Sequence, residues 1–174
     1  LVEEPRARPL LALQLADELR HVHVYEHYLR RVGEITAIDE ALATVLEAAA
    51  APISTMAETV LAYHVLLENE GLMLQQAFLG WIDCPLFRQI NRCTSRDEAR
   101  HVAFGRLYLG RIGAQLDAEE RAAAAATLER QWRQCAPALL RRYAGHLGRR
   151  LGRDWLERRW SHHQQTLREL GFSR

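Results

Sequence analysis

The sequence contains no lysine; all 23 of its basic residues are arginine. A lysine Schiff base and a phosphate-loop lysine are therefore excluded. The Arg- and Ala-rich usage has the look of GC-rich coding bias and carries no mechanism. Glycine and proline are scarce, ten and five in 174 residues. Runs of alternating Val, Ile and Thr are nearly missing, so little is left from which strands and tight hairpins could be built. Cysteine occurs only at Cys84, Cys93 and Cys135. An odd number at irregular spacing makes neither a disulfide framework nor a thiolate zinc site, and predicts free thiols in a cytoplasmic, reducing setting. There is no 18-residue apolar run, so no membrane span is expected, and the opening LVEEPRARP lacks a charged-then-apolar export signal. Charge of one sign is lacking as well: 23 Arg against 22 acids leaves a net charge of +1, which removes a strongly basic nucleic-acid binder. What is present, 48% hydrophobic and 26% charged residues, is the balance of one folded globular domain with a sizeable core.

Apolar periodicity and the few breakers predict an all-α chain. A first helix is expected over about Leu10 to Val32, between Pro9 and Gly33. A short one covers Asp39 to Ala50 and is stopped by Pro52. A long one runs from Ser54 to Trp81, and Asp83-Cys84-Pro85 breaks the chain. A fourth runs from Leu86 to Ile112 and ends at Gly113. Asp117 is the expected N-cap of a fifth, which reaches His146 with a kink at Pro137. A last helix runs from Gly152 to Leu170. Residues 1–140 hold 14 Arg and 19 acids, net −5, and residues 141–174 hold 9 Arg and 3 acids, net +6. That asymmetry reads as a solvated helix face plus a tail, ahead of a docking surface for an acidic partner.

The strongest signal is internal. Residues 16–33, ADELRHVHVYEHYLRRVG, and residues 96–113, RDEARHVAFGRLYLGRIG, are identical at nine of eighteen aligned positions. Each copy contains Glu-x-x-His: Glu18 with His21, and Glu98 with His101. One such pair would carry little weight; two in matched blocks carry more. Residues i and i+3 share a helix face, so each pair points a carboxylate and an imidazole the same way. Two such helices face to face would offer two carboxylates and two neutral imidazoles to one point. That mixture of hard oxygen and borderline nitrogen suits iron or manganese, with room for two ions.

The hydrophobic register supports inward carboxylates. Leu11, Leu15, Glu18, Val22, Tyr25, Leu29 and Val32 follow a 4-3-4-3-4-3 spacing, and Glu98, Val102, Gly105, Leu109 and Ile112 form a similar seam. A Glu on such a seam asks for a partner or a metal. On the third helix Val60, Tyr63, Leu67, Glu70, Leu74, Ala77 and Trp81 form a stripe whose only charge is Glu70. Glu68 lies on the next stripe, with Leu61, Leu72, Gln75 and Leu79, and is the less favoured candidate.

These segments resemble the ferritin-like di-metal carboxylate proteins, in which two helices supply one Glu each and two others supply Glu-x-x-His. ADELRHVHVYEHYL is similar to the first Glu-x-x-His helix, LLENEGLMLQQAF to a single-Glu helix, and SRDEARHVAFGRLYL to the second Glu-x-x-His helix. The wording is closest to the ribonucleotide-reductase-like branch. The resemblance covers residues 10–113; residues 114–174 match no segment of it. It implies a ferritin-like bundle with extra C-terminal helices. It also implies Glu18, His21, Glu70, Glu98 and His101 as five of six metal ligands, with Glu70 the bridging or shifting carboxylate. Asp17 would orient His101, and Asp97 would orient His21, since a ligating imidazole needs its other N–H fixed by an acceptor. Two metal ions, Fe/Fe or Mn/Fe, would serve an O₂-dependent oxidase or oxygenase that acts on an organic substrate and draws on an electron-donor protein. A ferroxidase or iron-storage protein and a metal-free helical interaction module are the alternatives.

One part of the family's pattern is missing. Its other lone Glu lies on a helix before the first Glu-x-x-His, and only about nine residues precede that helix here. Glu3 and Glu4 are poorly placed substitutes. The chain opens on Leu1, so an upstream start is the expected explanation, ahead of a second chain that completes the bundle and of an incomplete metal site. An unclosed bundle would leave an apolar face exposed and favour association, for instance as a homodimer. Tyr25 stands four residues after His21, where radical-forming subunits carry a tyrosine, but its place on the seam favours core packing. Phe104, Tyr25 and Leu74 are expected to line a cavity. His64 reads as a core or surface histidine, His23 and His27 as off the ligand face, and His162 and His163 as surface groups. Trp132, Trp155 and Trp160 should anchor the last two helices.

Overall fold

In the computed structural model the described residues are 5–49, 53–143 and 154–173. Glu3, Glu4, Pro52, His146 and Gly152 lie outside them. The fold is an all-α helical bundle, and every regular element among the described residues is helical: α1 (Ala7–Val32), α2 (Glu40–Ala49), α3 (Met56–Val60), a π-helical stretch (Leu61–Leu67), α4 (Glu68–Trp81), α5 (Pro85–Gly113), α6 (Ala118–Tyr143) and α7 (Trp155–Glu169). Local chemistry sets the ends. Gly33 closes α1, its N–H donating to the Leu29 carbonyl (2.9 Å). Pro85 opens α5, where its missing N–H costs nothing. Thr55 and Glu58 form a capping box on α3. At the start of α6, Asp117 accepts from the Glu120 N–H while Glu120 accepts from the Asp117 N–H, both at 2.8 Å. α6 runs through Pro137 without ending. Cys84, Cys93 and Cys135 are free thiols. Among the described residues no helix is long and apolar enough to cross a membrane.

The long third helix differs from the expectation in one respect. Its middle, Leu61–Leu67, is π-helical. Bonding from i to i+5 holds about one extra residue per turn, so a stripe extrapolated through it at α-helical spacing lands one residue early.

The residues group into two compact units. One contains residues 1–37 and 68–104, hence α1, α4 and most of α5. Here the buried and half-buried residues of α1 include Ala7, Leu11, Gln14, Glu18, His21, Tyr25 and Tyr28, a 4-3-4-3-4-3 stripe. The expected seam shares only Leu11, Glu18 and Tyr25 with it. Leu15, Val22 and Leu29 are exposed instead, at 62%, 66% and 42%. The two stripes are equally periodic. Polar partners decide between them, because Gln14 and His21 face inward to bond Glu68 and Asp97. One flank of α1 therefore carries exposed apolar side chains.

The other unit contains residues 38–67 and 105–174. Val45, Ala48 and Cys135 pack with Leu67. Trp132 stacks against Trp160, lies beside Trp155, and meets His163 edge-on; Trp155 and His163 are buried, so His163 is a core group and not a surface one. His64 is also buried, directly against Gly105. A Cβ added at Gly105 would fall 2.1 Å from the His64 Cβ, so only glycine lets these backbones approach.

Candidate metal centre

Five side chains from three helices converge within the first unit: Glu18 and His21 from α1, Glu68 from α4, and Glu98 and His101 from α5. Ligand atoms of Glu18, Glu68, Glu98 and His101 all lie within 4.8 Å of one another. The two repeat glutamates face both imidazoles. Glu98 sets Oε1 3.2 Å from His21 Nδ1 and Oε2 3.1 Å from His101 Nδ1. Glu18 sets Oε2 3.5 Å from His21 Nδ1 and Oε1 3.2 Å from His101 Nδ1. Glu68 approaches only His101, its Oε2 lying 3.7 Å from Nδ1.

The outer nitrogens are held crosswise. His21 Nε2 is 3.0 Å from Asp97 Oδ2, and His101 Nε2 is 3.2 Å from Asp17 Oδ2. Each imidazole therefore donates its Nε2–H to an aspartate of the other repeat and presents Nδ1 to the centre. Arg20 donates to Asp17 (2.6 Å) and Asp97 (2.8 Å). Arg100 does the same to both. The Asp, Glu, Arg and His of the shared Asp-Glu-x-Arg-His are thus all used in both repeats.

Glu70 is buried on the same helix but is not one of the converging groups. The carboxylate of this helix that joins the group is Glu68, the less favoured candidate, and the π-helical stretch accounts for the register. One extra residue moves the facing stripe from Leu67 and Leu74 to Glu68 and Gln75. The neighbours agree. Gln14 donates to Glu68 Oε1 (2.7 Å), and Gln75, two turns beyond Glu68, donates to Glu98 Oε1 (3.3 Å). Gln14 and Gln75 were missed in the sequence; their spacing of four from Glu18 and seven from Glu68 was the available signal.

Tyr25 donates to Asn91 Oδ1 (3.0 Å) and lies 2.9 Å from Thr94 Oγ1, so its hydroxyl is tied to α5. It also helps line an open groove with Val22, Glu26, Leu29, Arg30 and Ile35. Phe104 and Leu74 are half-buried on α5 and α4 and do not line that groove.

The electrostatics are those of a site that calls for positive charge. Burial alone would lower both imidazole pKa values. The surrounding carboxylates overcome it and push His21 up to about 10 and His101 up to about 12. Burial raises Glu68 to about 7, while His101 and His21 hold Glu98 low against burial. Asp97 falls to about 2: burial opposes this, and His21, Arg20 and Arg100 prevail.

The residues fit a cation. Glu18 Oε1 and His21 Nδ1 are buried yet have no hydrogen-bond partner, although carboxylate and imidazole atoms stand close by. His101 Nδ1 and Glu98 Oε2 are hydrogen-bonded to each other (3.1 Å), and the atoms left over are ones a cation would satisfy. Three carboxylates and two imidazoles form an O/N set for a divalent transition metal rather than a thiolate set. Comparison with protein-family models, with curated protein sequences and with solved structures returns no match to this chain.

Proposed function

We propose that this chain is a non-haem di-metal oxidase or oxygenase of the ferritin-like kind, holding Fe/Fe or Mn/Fe and acting with O₂ on an organic substrate. The observation that carries the reading is the convergence of both Glu-x-x-His pairs, with each imidazole braced by the aspartate of the opposite repeat. Glu18, Glu68 and Glu98 would hold the metal through carboxylate oxygens, and His21 and His101 through Nδ1. Bound redox-active metal would supply electrons for O₂ reduction. The chain's own residues hold and orient: Asp17 and Asp97 keep the Nε2–H proton in place, and Gln14 and Gln75 fix the carboxylate rotamers of Glu68 and Glu98.

A second reading, ferroxidase or iron storage, is favoured by one observation: the Glu18 side chain is 43% exposed, so the centre opens toward solvent. Metal content per chain tests the common premise, using protein grown with iron and manganese and analysed beside Glu98→Ala. Up to two ions per chain in the wild type, lost in the variant, are expected; no ion in either removes both readings. Gel filtration then separates the two, because a storage cage is very large and an oxidase is not.

A further inference from the structure

The outer face of α1 carries ligating groups that the centre does not use. His23 follows the buried His21 by two residues, about 200° round the helix, and is exposed. His27 stands one turn further on, on the same face, and is exposed as well. Their ring centroids are 5.7 Å apart, nearer than the 6.3 Å between His21 and His101 across the centre. Glu26 lies on the same turn. Arg30 donates to its Oε1 twice, from Nε at 3.0 Å and Nη2 at 2.7 Å, and leaves Oε2 to other partners. The repeat does not account for this set. Where the first copy has His23, Glu26, His27 and Arg30, the second has Ala103, Arg106, Leu107 and Gly110. Both chelating imidazoles are thus peculiar to α1.

We propose that His23 and His27 form a separate, exposed chelate for a late first-row divalent cation, Cu(II) ahead of Zn(II). Histidines at i and i+4 on one helix face bring two imidazole nitrogens within reach of one ion. Imidazole donors without carboxylates select copper, nickel or zinc, whereas manganese favours oxygen, and copper heads that order of affinity. Water or a donor from another molecule completes the coordination on the solvent side. The charge of the nearest guanidinium is already answered, because Arg30 is paired with Glu26. Arg20, on the preceding turn, is likewise committed to Asp17 and Asp97. α1 therefore offers an oxygen-rich donor set on its inner side and an imidazole pair on its outer side. Neither His23 nor His27 belongs to the converging group of the centre, so the outer chelate stands whether or not the centre holds metal.

Binding of the untagged full chain to immobilised Cu(II)-iminodiacetate tests it, because a resin-held ion reaches exposed imidazoles and not the buried His21 and His101. The wild type should be retained. His23→Gln and His27→Gln should each weaken the binding isotherm about tenfold, since either leaves a single imidazole where two acted together. The double variant should fall only slightly below the weaker single one, because the chelate is already broken. His162→Gln, at an exposed position of α7, removes a histidine that is not part of the pair and should stay within about twofold of wild type. All three substitutions lie on exposed helix faces, so far-ultraviolet circular dichroism should match the wild type for each. Equal losses for His23→Gln, His27→Gln and His162→Gln would mean that the histidines act singly and would overturn the chelate. So would a wild type that passes through the resin, or a double variant retained as the wild type is.

Discussion

The two copies of the eighteen-residue repeat carry the same Asp-Glu-x-Arg-His-Val on α1 and α5, yet they are treated differently by their surroundings. The imidazoles are equivalent, with side chains 6% and 5% exposed at His21 and His101. Around them equivalence stops. Glu98 is 10% exposed and Glu18 43%. Leu109 is wholly buried, whereas its repeat partner Leu29 is 42% exposed. At the position that holds Tyr25 on α1, α5 has Gly105, which lets His64 sit against the backbone. The polar residues of the repeat specify a cross-braced pair of ligands. What flanks them is set by whatever each helix packs against, and α5 is covered where α1 is not.

Core truncation should expose that difference most strongly. Leu109→Ala removes a buried side chain and should cost about 2–5 kcal/mol. Leu29→Ala, at the matching position, should stay within about 0.5 kcal/mol. Urea midpoints at unchanged m-value report both; equal losses would mean that α1 is covered in solution. Next in size is Gly105→Ala. Its Cβ would overlap His64 on the far side of a helix contact with no slack, at a cost of about 1–3 kcal/mol. Tyr25→Phe, its counterpart, loses only the hydroxyl bonds to Asn91 and Thr94, about 1 kcal/mol. A Gly105→Ala melt equal to wild type would mean that the π-helical stretch moves aside.

The outer aspartates give a smaller, subtler contrast. Asp97 is 9% exposed and binds His21 and both arginines, whereas Asp17 is 20% exposed. Asp97→Asn and Asp17→Asn should each weaken metal binding by about 10- to 100-fold, the former more. The bracing model fails if both variants bind Mn(II) as the wild type does.

The sequence was legible in unequal parts, for physical reasons. Helix class and ends could be read because Pro9, Gly33, Pro85, Gly113 and Asp117 act locally, and the structure keeps them at or near helix ends. The Glu-x-x-His pairs stood out because the same polar set is written twice. The register of α1 was not legible. Two stripes sharing Leu11, Glu18 and Tyr25 fit the apolar period equally, and the choice depends on what Gln14 and His21 bond, which is tertiary information. Glu68 was ranked below Glu70 because Glu70 is the only charge on its α-helical stripe, and the π-helical stretch that changes the register has no composition of its own.

A last contrast concerns protons, and its sign separates the metal-free protein from the loaded one. In the metal-free centre His21 and His101 have pKa values raised from 6.5 to about 10 and about 12, so the folded state holds protons that the unfolded chain releases. The stability they contribute is fully present below pH 6.5 and is lost as pH rises through about 10 and then about 12. Glu68, raised from 4.5 to about 7, adds a loss of the same sign that begins lower. Asp97 acts oppositely: its contribution is present above 3.8 and disappears as pH falls through about 2. The metal-free melting temperature should therefore be highest between these limits, near pH 4–5, and decline steadily toward pH 9. Divalent metal takes the place of those protons, so added Mn(II) should raise the melting temperature more at pH 8 than at pH 6. Since α1 and α5 each supply one such imidazole, His21→Gln and His101→Gln should each remove part of the alkaline decline. If only one of them does, the centre titrates as a single site, and the likeness between the two repeats ends at their sequence.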